Sequence, residues 1–241
     1  AVAIVGAPIV FHWVGMSGLF AIVGVLSILA IGVVLWIVPD AAKPVHVPAP
    51  FAEVLHNVEL LRLNFGVLVL HATQTALFLV VPRLLVDGGL PVAAHWKVYL
   101  PVMGLAFVMM VPAIIVAEKR GKMKPVLLGG ILAILIGQLL LGSAPHTIMI
   151  VAAILFVYFL GFNILEASQP SLVSKLAPGS RKGAATGVYN TTQSIGLALG
   201  GIVGGWLLKQ GGPNMVFLMC AGAVAVWLAI AFGMKPPPAR S

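Results

Sequence analysis

Acidic residues are nearly missing from this 241-residue chain: six Asp and Glu stand against 14 Lys and Arg, and charged residues make up only 8%. A soluble domain carries about 25% charged residues, so this chain is not built to face water. Cysteine is as scarce. Cys220 stands alone in an apolar run, which excludes a disulfide scaffold. The histidines are scattered without an i, i+3 or i, i+4 pair and there is no HExxH, so neither a metal site nor a cofactor is expected. The alternating segments of about 10 residues that build a transmembrane barrel are also missing.

What the chain does have is hydrophobicity, at 61% apolar residues, which rules out intrinsic disorder. A spanning helix needs about 20 mainly apolar residues to cross a core about 30 Å thick. Seven stretches qualify: 18–38, 63–86, 98–117, 125–142, 147–171, 183–208 and 214–234. The fold class is therefore an all-α membrane protein. Ala1 to Phe11 is an apolar run too short to span, and no basic n-region or cleavage site precedes the first run. It reads as a clipped helix, and the expectation is a chain that begins inside a larger protein.

The net charge of +8 is not a nucleic-acid surface, because the cations sit in short loops between apolar runs and not on one solvated face. They encode orientation instead. One side collects Lys43, Arg62, Lys119, Arg120, Lys122, Lys124, Lys175, Arg181, Lys182, Lys235 and Arg240, while the other has only Arg83, Lys97 and Lys209. That bias puts the loops at 39–61, 118–124 and 177–182 and the C-terminus in the cytoplasm. The 39–61 connection holds Pro39, Pro44, Pro48 and Pro50, followed from Phe51 by a stretch able to form a short amphipathic surface helix.

Two motifs carry more specific information. The first is Ala117-Glu118-Lys119-Arg120-Gly121-Lys122-Met123-Lys124, between two spans. The second runs Phe162-Asn163-Ile164-Leu165-Glu166-Ala167-Ser168-Gln169-Pro170-Ser171-Leu172, and continues at Lys182-Gly183-Ala184-Ala185-Thr186-Gly187-Val188-Tyr189-Asn190-Thr191-Thr192-Gln193. Together with a six-helix block behind a linker, they resemble the C-terminal half of a major facilitator superfamily transporter, in its proton-linked bacterial drug-efflux branch.

The resemblance implies a six-helix C-terminal bundle (62–241, with the tail), a cytoplasmic linker (40–61) and the last one and a half helices of the N-terminal bundle (1–39). It also implies an alternating-access carrier of the bacterial inner membrane that exports small organic compounds in exchange for protons. Its partners would be a small-molecule substrate, protons, the lipid bilayer and the missing N-terminal helices. A uniporter or symporter of the same fold, or a non-transporting membrane assembly subunit, stands as the alternative. The family's fifth-helix motif centres on Gly-Pro, where this chain has Gly6-Ala7-Pro8.

Glu166 is the acid deepest in an apolar span, and burying such a charge costs at least about 2.5 to 3.5 kcal/mol. Two roles compete for it: a titrating or substrate-facing carboxylate, and a structural acid that pairs with Lys119 or Arg120. Asn163 shares its helical face, three residues earlier. Asn190 and Gln193 form another i, i+3 pair, and His71, Gln74 and Thr75 a third polar stripe. Each stripe lines a substrate or proton pathway or simply bonds helices together. Gly196, Gly200 and Gly204 recur every four residues, with Gly201 and Gly205 parallel to them, which is the pattern of closely packed helices.

In the loop Glu118, Lys119, Arg120, Gly121, Lys122 and Lys124, the family's order of charges implies a gating latch, with Glu118 capping the 183–208 helix. Catalysis is not expected. Gly15-Met16-Ser17-Gly18 matches a short serine-protease motif, but His71 and His95 lack the context that chemistry needs. A retinal Schiff base needs a lysine that 214–234 does not contain.

Overall fold

The computed structural model describes residues 2–39, 51–145 and 147–235, and the prolines at 44, 48 and 50 and the tail beyond 235 lie outside them. The chain divides into two compact units, Ala1–Pro48 and Ala49–Ser241. The first holds α1 (Val2–Trp36), which breaks at Gly15 with φ 66°. That value suits a residue without a Cβ. The break falls inside the Gly15-Met16-Ser17-Gly18 motif and separates the clipped run from the first full span.

The second unit contains α2 (Phe51–His56), α3 (Val58–Asp87), α4 (Trp96–Lys119), α5 (Met123–Ser143), α6 (Ile148–Leu176) and α7 (Lys182–Phe232). Asn57 explains where α3 starts, since its side chain accepts from the backbone N–H groups of Glu59 at 3.0 Å and Leu60 at 3.2 Å. Such a cap satisfies donors that have no partner within the helix. Thr147 opens α6 in the same way, accepting from Ile150 N at 3.4 Å.

Among the described residues six helices are long and apolar enough to cross a membrane: Trp13–Trp36, Val58–Asp87, Val92–Lys119, Met123–Ser143, Ile148–Leu176 and Lys182–Phe232. The seven expected stretches fall on these six, because α7 takes the last two. At about 1.5 Å per residue, the 51 residues of α7 would reach about 75 Å, more than twice a hydrocarbon core of about 30 Å. The run turns at Gly212, where φ is 71°, and Pro213 follows with no N–H to continue the ladder. Both arms return to one stretch of α3. Gly66 lies against Trp227 of the second arm, and Leu68 against Gly196 of the first.

Small residues set these close approaches. A Cβ on Gly196 would stand 2.5 Å from the Leu68 carbonyl oxygen, one on Gly204 3.0 Å from the Ala76 Cβ, and one on Gly200 would run into the Ala72 backbone. The stripe of every fourth glycine is thus the α3 contact. Its parallel pair is different: a Cβ on Gly201 finds only Thr75 at 3.8 Å, and one on Gly205 finds nothing within 4 Å. Only one of the two expected glycine rows packs. Gly130 and Gly161 bring α5 and α6 together likewise, and Tyr158, Phe159, Phe217 and Trp227 are the largest buried side chains of the interior.

Candidate functional site

Three of the singled-out side chains, from three helices, meet inside the second unit. His71 lies at the middle of α3, 4% exposed. Its Nδ1 is 3.0 Å from the Val67 carbonyl oxygen. A carbonyl only accepts, so Nδ1 carries a proton and donates it. The other ring nitrogen, Nε2, is 2.9 Å from Nε2 of Gln193 on α7, whose amide N–H donates, and 3.3 Å from Oε2 of Glu166 on α6. Phe162 stands edge-on to the imidazole with centroids 5.8 Å apart.

The contact at 3.3 Å is not an aligned hydrogen bond, and Glu166 Oε2 is buried without one. With Nδ1 protonated, a neutral ring turns its Nε2 lone pair towards Gln193 and the carboxylate. A lone pair beside an ionised carboxylate is repulsive, and a proton on either group would turn the contact into a hydrogen bond. If His71 takes it, Gln193 presents its amide oxygen in place of its nitrogen, a reversal that these side chains readily make. The Glu166 side chain is 41% exposed even though this oxygen is buried, so the carboxyl bridges the interior and an open side.

Glu166 thus faces His71, and the pairing with Lys119 or Arg120 weighed for a structural lock is not formed among the described residues. The span expected to end at 171 runs to Leu176, so Glu166 lies about 6 Å from the middle of α6, and His71 lies at the middle of α3. A hydroxyl belongs to the neighbourhood as well: Tyr189 of α7 is within electrostatic reach of Glu166, and its oxygen is buried with no hydrogen-bond partner. Tyr158 closes the opposite side, 3.4 Å from the Thr73 hydroxyl and stacked on Phe162.

The other pathway candidates do not join this cluster. Asn163 and Gln74 are half-buried and Asn190 is exposed, and among the described residues none makes a side-chain hydrogen bond. Thr75 bonds back to the His71 carbonyl at 3.0 Å, as a helix hydroxyl commonly does. Sequence reasoning did not weigh Tyr158. Its spacing of four from Phe162 was the available signal, since both then lie on one face of α6.

At the loop end, Glu118 accepts from the Ser171 hydroxyl at 2.8 Å and pairs with Lys175 at 2.6 Å, both on α6. Ser171 lies inside the expected span and Lys175 in the part of α6 beyond it, so these contacts join α4 to the end of α6. Gly121, at φ 65°, turns the chain between α4 and α5. Exposed ion pairs of this kind contribute about 0.2 to 1 kcal/mol. A double-mutant cycle of Glu118→Gln and Lys175→Met, read by thermal unfolding in detergent, is expected to return a coupling in that range. A coupling of several kcal/mol would mean the pair is desolvated.

A multi-pass helical bundle with a polar cluster between three of its spanning helices is the architecture of a membrane carrier, whose sites lie within the bundle near the midplane. The chain belongs to the Major Facilitator Superfamily, whose sequence pattern matches residues 1–201 and 171–241. Proteins of this family are transporters and not enzymes. The chain is similar to the inner membrane transport protein YajR of Escherichia coli (strain K12), 39% identical over 244 residues that cover 99% of this chain and 54% of that protein. An uncharacterized transporter of Buchnera aphidicola subsp. Acyrthosiphon pisum is 26% identical, over 83% of this chain and 53% of its own. The multidrug resistance protein MdtH of Yersinia enterocolitica is 28% identical, over 83% of this chain and 49% of its own. The chain spans about half the length of these relatives.

Proposed function

We propose that the full-length protein exports small organic compounds across the bacterial inner membrane in exchange for protons, with its C-terminus in the cytoplasm. The observation that carries this reading is the pair formed by Glu166 and His71 Nε2 at 3.3 Å, with Gln193 beside it. An ionisable residue inside a membrane span is costly, and it persists where it moves ions or protons. Proton exchange between carboxyl and imidazole changes what the site offers: a neutral cluster in one state, an ion pair with a reversed amide in the other.

In this reading the rest of the site follows from chemistry. Aromatic faces at Phe162, Tyr158 and Tyr189 suit an apolar or cationic organic molecule, which agrees with a relative named for multidrug resistance. Gln74, Asn163 and Asn190 line the path without a fixed partner, ready to bond a substrate. The junction of Glu118 with Ser171 and Lys175 holds one end of the bundle in one state and opens in the other, the two-state element that alternating access requires. The smooth contact of Gly196, Gly200 and Gly204 on α3 is where helices shift against one another.

The test uses the full-length protein in proteoliposomes with a panel of fluorescent amphiphilic compounds. Concentrative flux is expected only while a proton gradient is maintained, with protons moving against the compound. Flux that survives collapse of the gradient would make the protein a uniporter, and protons moving with the compound a symporter; either result would overturn the exchange reading.

A further inference from the structure

The pair of Glu166 and His71 leaves polar atoms beside it unused. Tyr189 stands one turn before Gln193 on α7, and Gln193 touches His71 Nε2. Gln169 stands one turn after Glu166 on the same face of α6. Since the end of α6 joins the start of α7 through 177–181, both steps lead the same way from the pair. Tyr189 and Gln169 thus add a second polar layer next to the first, and Tyr189 is within electrostatic reach of Glu166.

None of these atoms is satisfied. Tyr189 is 3% exposed and Gln169 fully buried, and the tyrosine hydroxyl, both ends of the Gln169 amide and Oε2 of Glu166 are buried without a hydrogen bond. Buried polar groups are nearly always paired, so a cluster of exceptions calls for an explanation. Atoms enclosed inside the unit cannot be reached by whatever packs outside it, so their partners have to come from one another. The elements around α6 narrow the choice. His71 of α3 and Tyr189 of α7 are the titratable groups that meet Glu166, and among the described residues α4 and α5 bring no charged group to it.

We propose that Tyr189 is a positioning residue for the proton of Glu166: its hydroxyl donates to the ionised carboxylate and lets go of the protonated one, while the Gln169 amide N–H donates to the tyrosine oxygen. The inference rests on the proton exchange proposed above. An ionised carboxylate only accepts, and the Tyr189 hydroxyl is the buried donor beside it that has no acceptor. A protonated carboxyl is the weaker acceptor and turns its own O–H to the His71 lone pair, which leaves the hydroxyl unpartnered, as it is in this structure. On release the proton passes to His71 Nε2, 3.3 Å from the same oxygen, and the new carboxylate draws in the hydroxyl. A hydrogen bond to the ionised form favours that form, so Tyr189 eases the release.

The experiment titrates the full-length protein in detergent by infrared difference spectroscopy, taking as the Glu166 signal the carboxyl stretch that disappears in Glu166→Gln. In Tyr189→Phe its midpoint is expected to move to higher pH by about one unit, a tenfold tighter hold on the proton. Gln169→Leu should move it the same way by less. An unmoved midpoint in Tyr189→Phe, a move to lower pH, or no carboxyl stretch assignable to Glu166 would each overturn the proposal. So would a changed substrate affinity without a moved midpoint, which would give the hydroxyl to the substrate, and so would a lowered melting temperature alone, which would make the ring structural. If Tyr189→Phe does not fold, the unmodified protein decides: tyrosine ring vibrations must change as the Glu166 carboxyl titrates, and a constant tyrosine signal overturns the assignment. The readout needs no transport. A moved midpoint in a protein whose flux ignores the gradient refutes the exchange alone, and gradient-driven export with an unmoved midpoint refutes the role of Tyr189 alone.

Discussion

Full-length protein carrying Glu166→Gln is expected to fold normally, bind its substrates and lose gradient-driven export down to the level seen with the gradient collapsed. Gln keeps the shape of Glu and can turn its amide N–H towards His71 Nε2, so the packing against Phe162 and α7 is preserved. What disappears is the group that, in the proposed exchange, takes up and releases the proton. Removing an intramembrane carboxylate also removes a desolvation cost, so the melting temperature in detergent should be unchanged or higher. Downhill exchange of one compound for another, which needs no proton, should survive in part. Proteoliposome flux with and without a gradient measures both quantities. Undiminished gradient-driven flux in the variant would remove Glu166 from coupling, and lost flux together with a lowered melting temperature would make its role structural.

The second large effect concerns the contact of α3 with α7. Gly200→Ala puts a methyl group into the Ala72 backbone, which is not a flexible side-chain end that can swing aside. The helices must separate, at a cost of about 1 to 3 kcal/mol. Ala72 adjoins His71, so the same separation lengthens the 2.9 Å contact of Gln193 with His71. The variant is therefore expected to lose both thermal stability and proton coupling. Gly205→Ala is the control: its new methyl meets nothing within 4 Å, and a change within about 0.5 kcal/mol is expected. Equal tolerance of the two substitutions, by thermal unfolding and by flux, would contradict the close packing of α3 on the 182–211 arm.

Much of the molecule was legible from sequence, for reasons particular to the bilayer. Hydrocarbon leaves a backbone only its own hydrogen bonds, so each long apolar run has to be a helix. Hence the stretches at 63–86, 98–117 and 125–142 fall within α3 to α5, and 147–171 falls within α6 and its cap Thr147. The turn at Gly212 was legible from the Gly-Pro step that parts 183–208 from 214–234. Residues 117–124 and 161–193 already pointed to the family that the full-length comparison establishes.

The tertiary structure decided the partners. His71 and Gln193 are 122 positions apart and Glu118 and Lys175 are 57 apart, and no local pattern says which helix face turns towards which. Hydropathy marks where a helix is buried in lipid, but lipid tails are as apolar as leucine, so it does not say what the helix is buried against. The extra helix at the end of α6 carries Lys175 to Glu118, and the way α6 faces α3 brings Glu166 to His71. The two glycine rows, equal on paper, were separated by the rotation of α7 about its axis. Sequence determined that the chain is a bundle of membrane helices bearing one deep acid; packing geometry decided that this acid meets an imidazole.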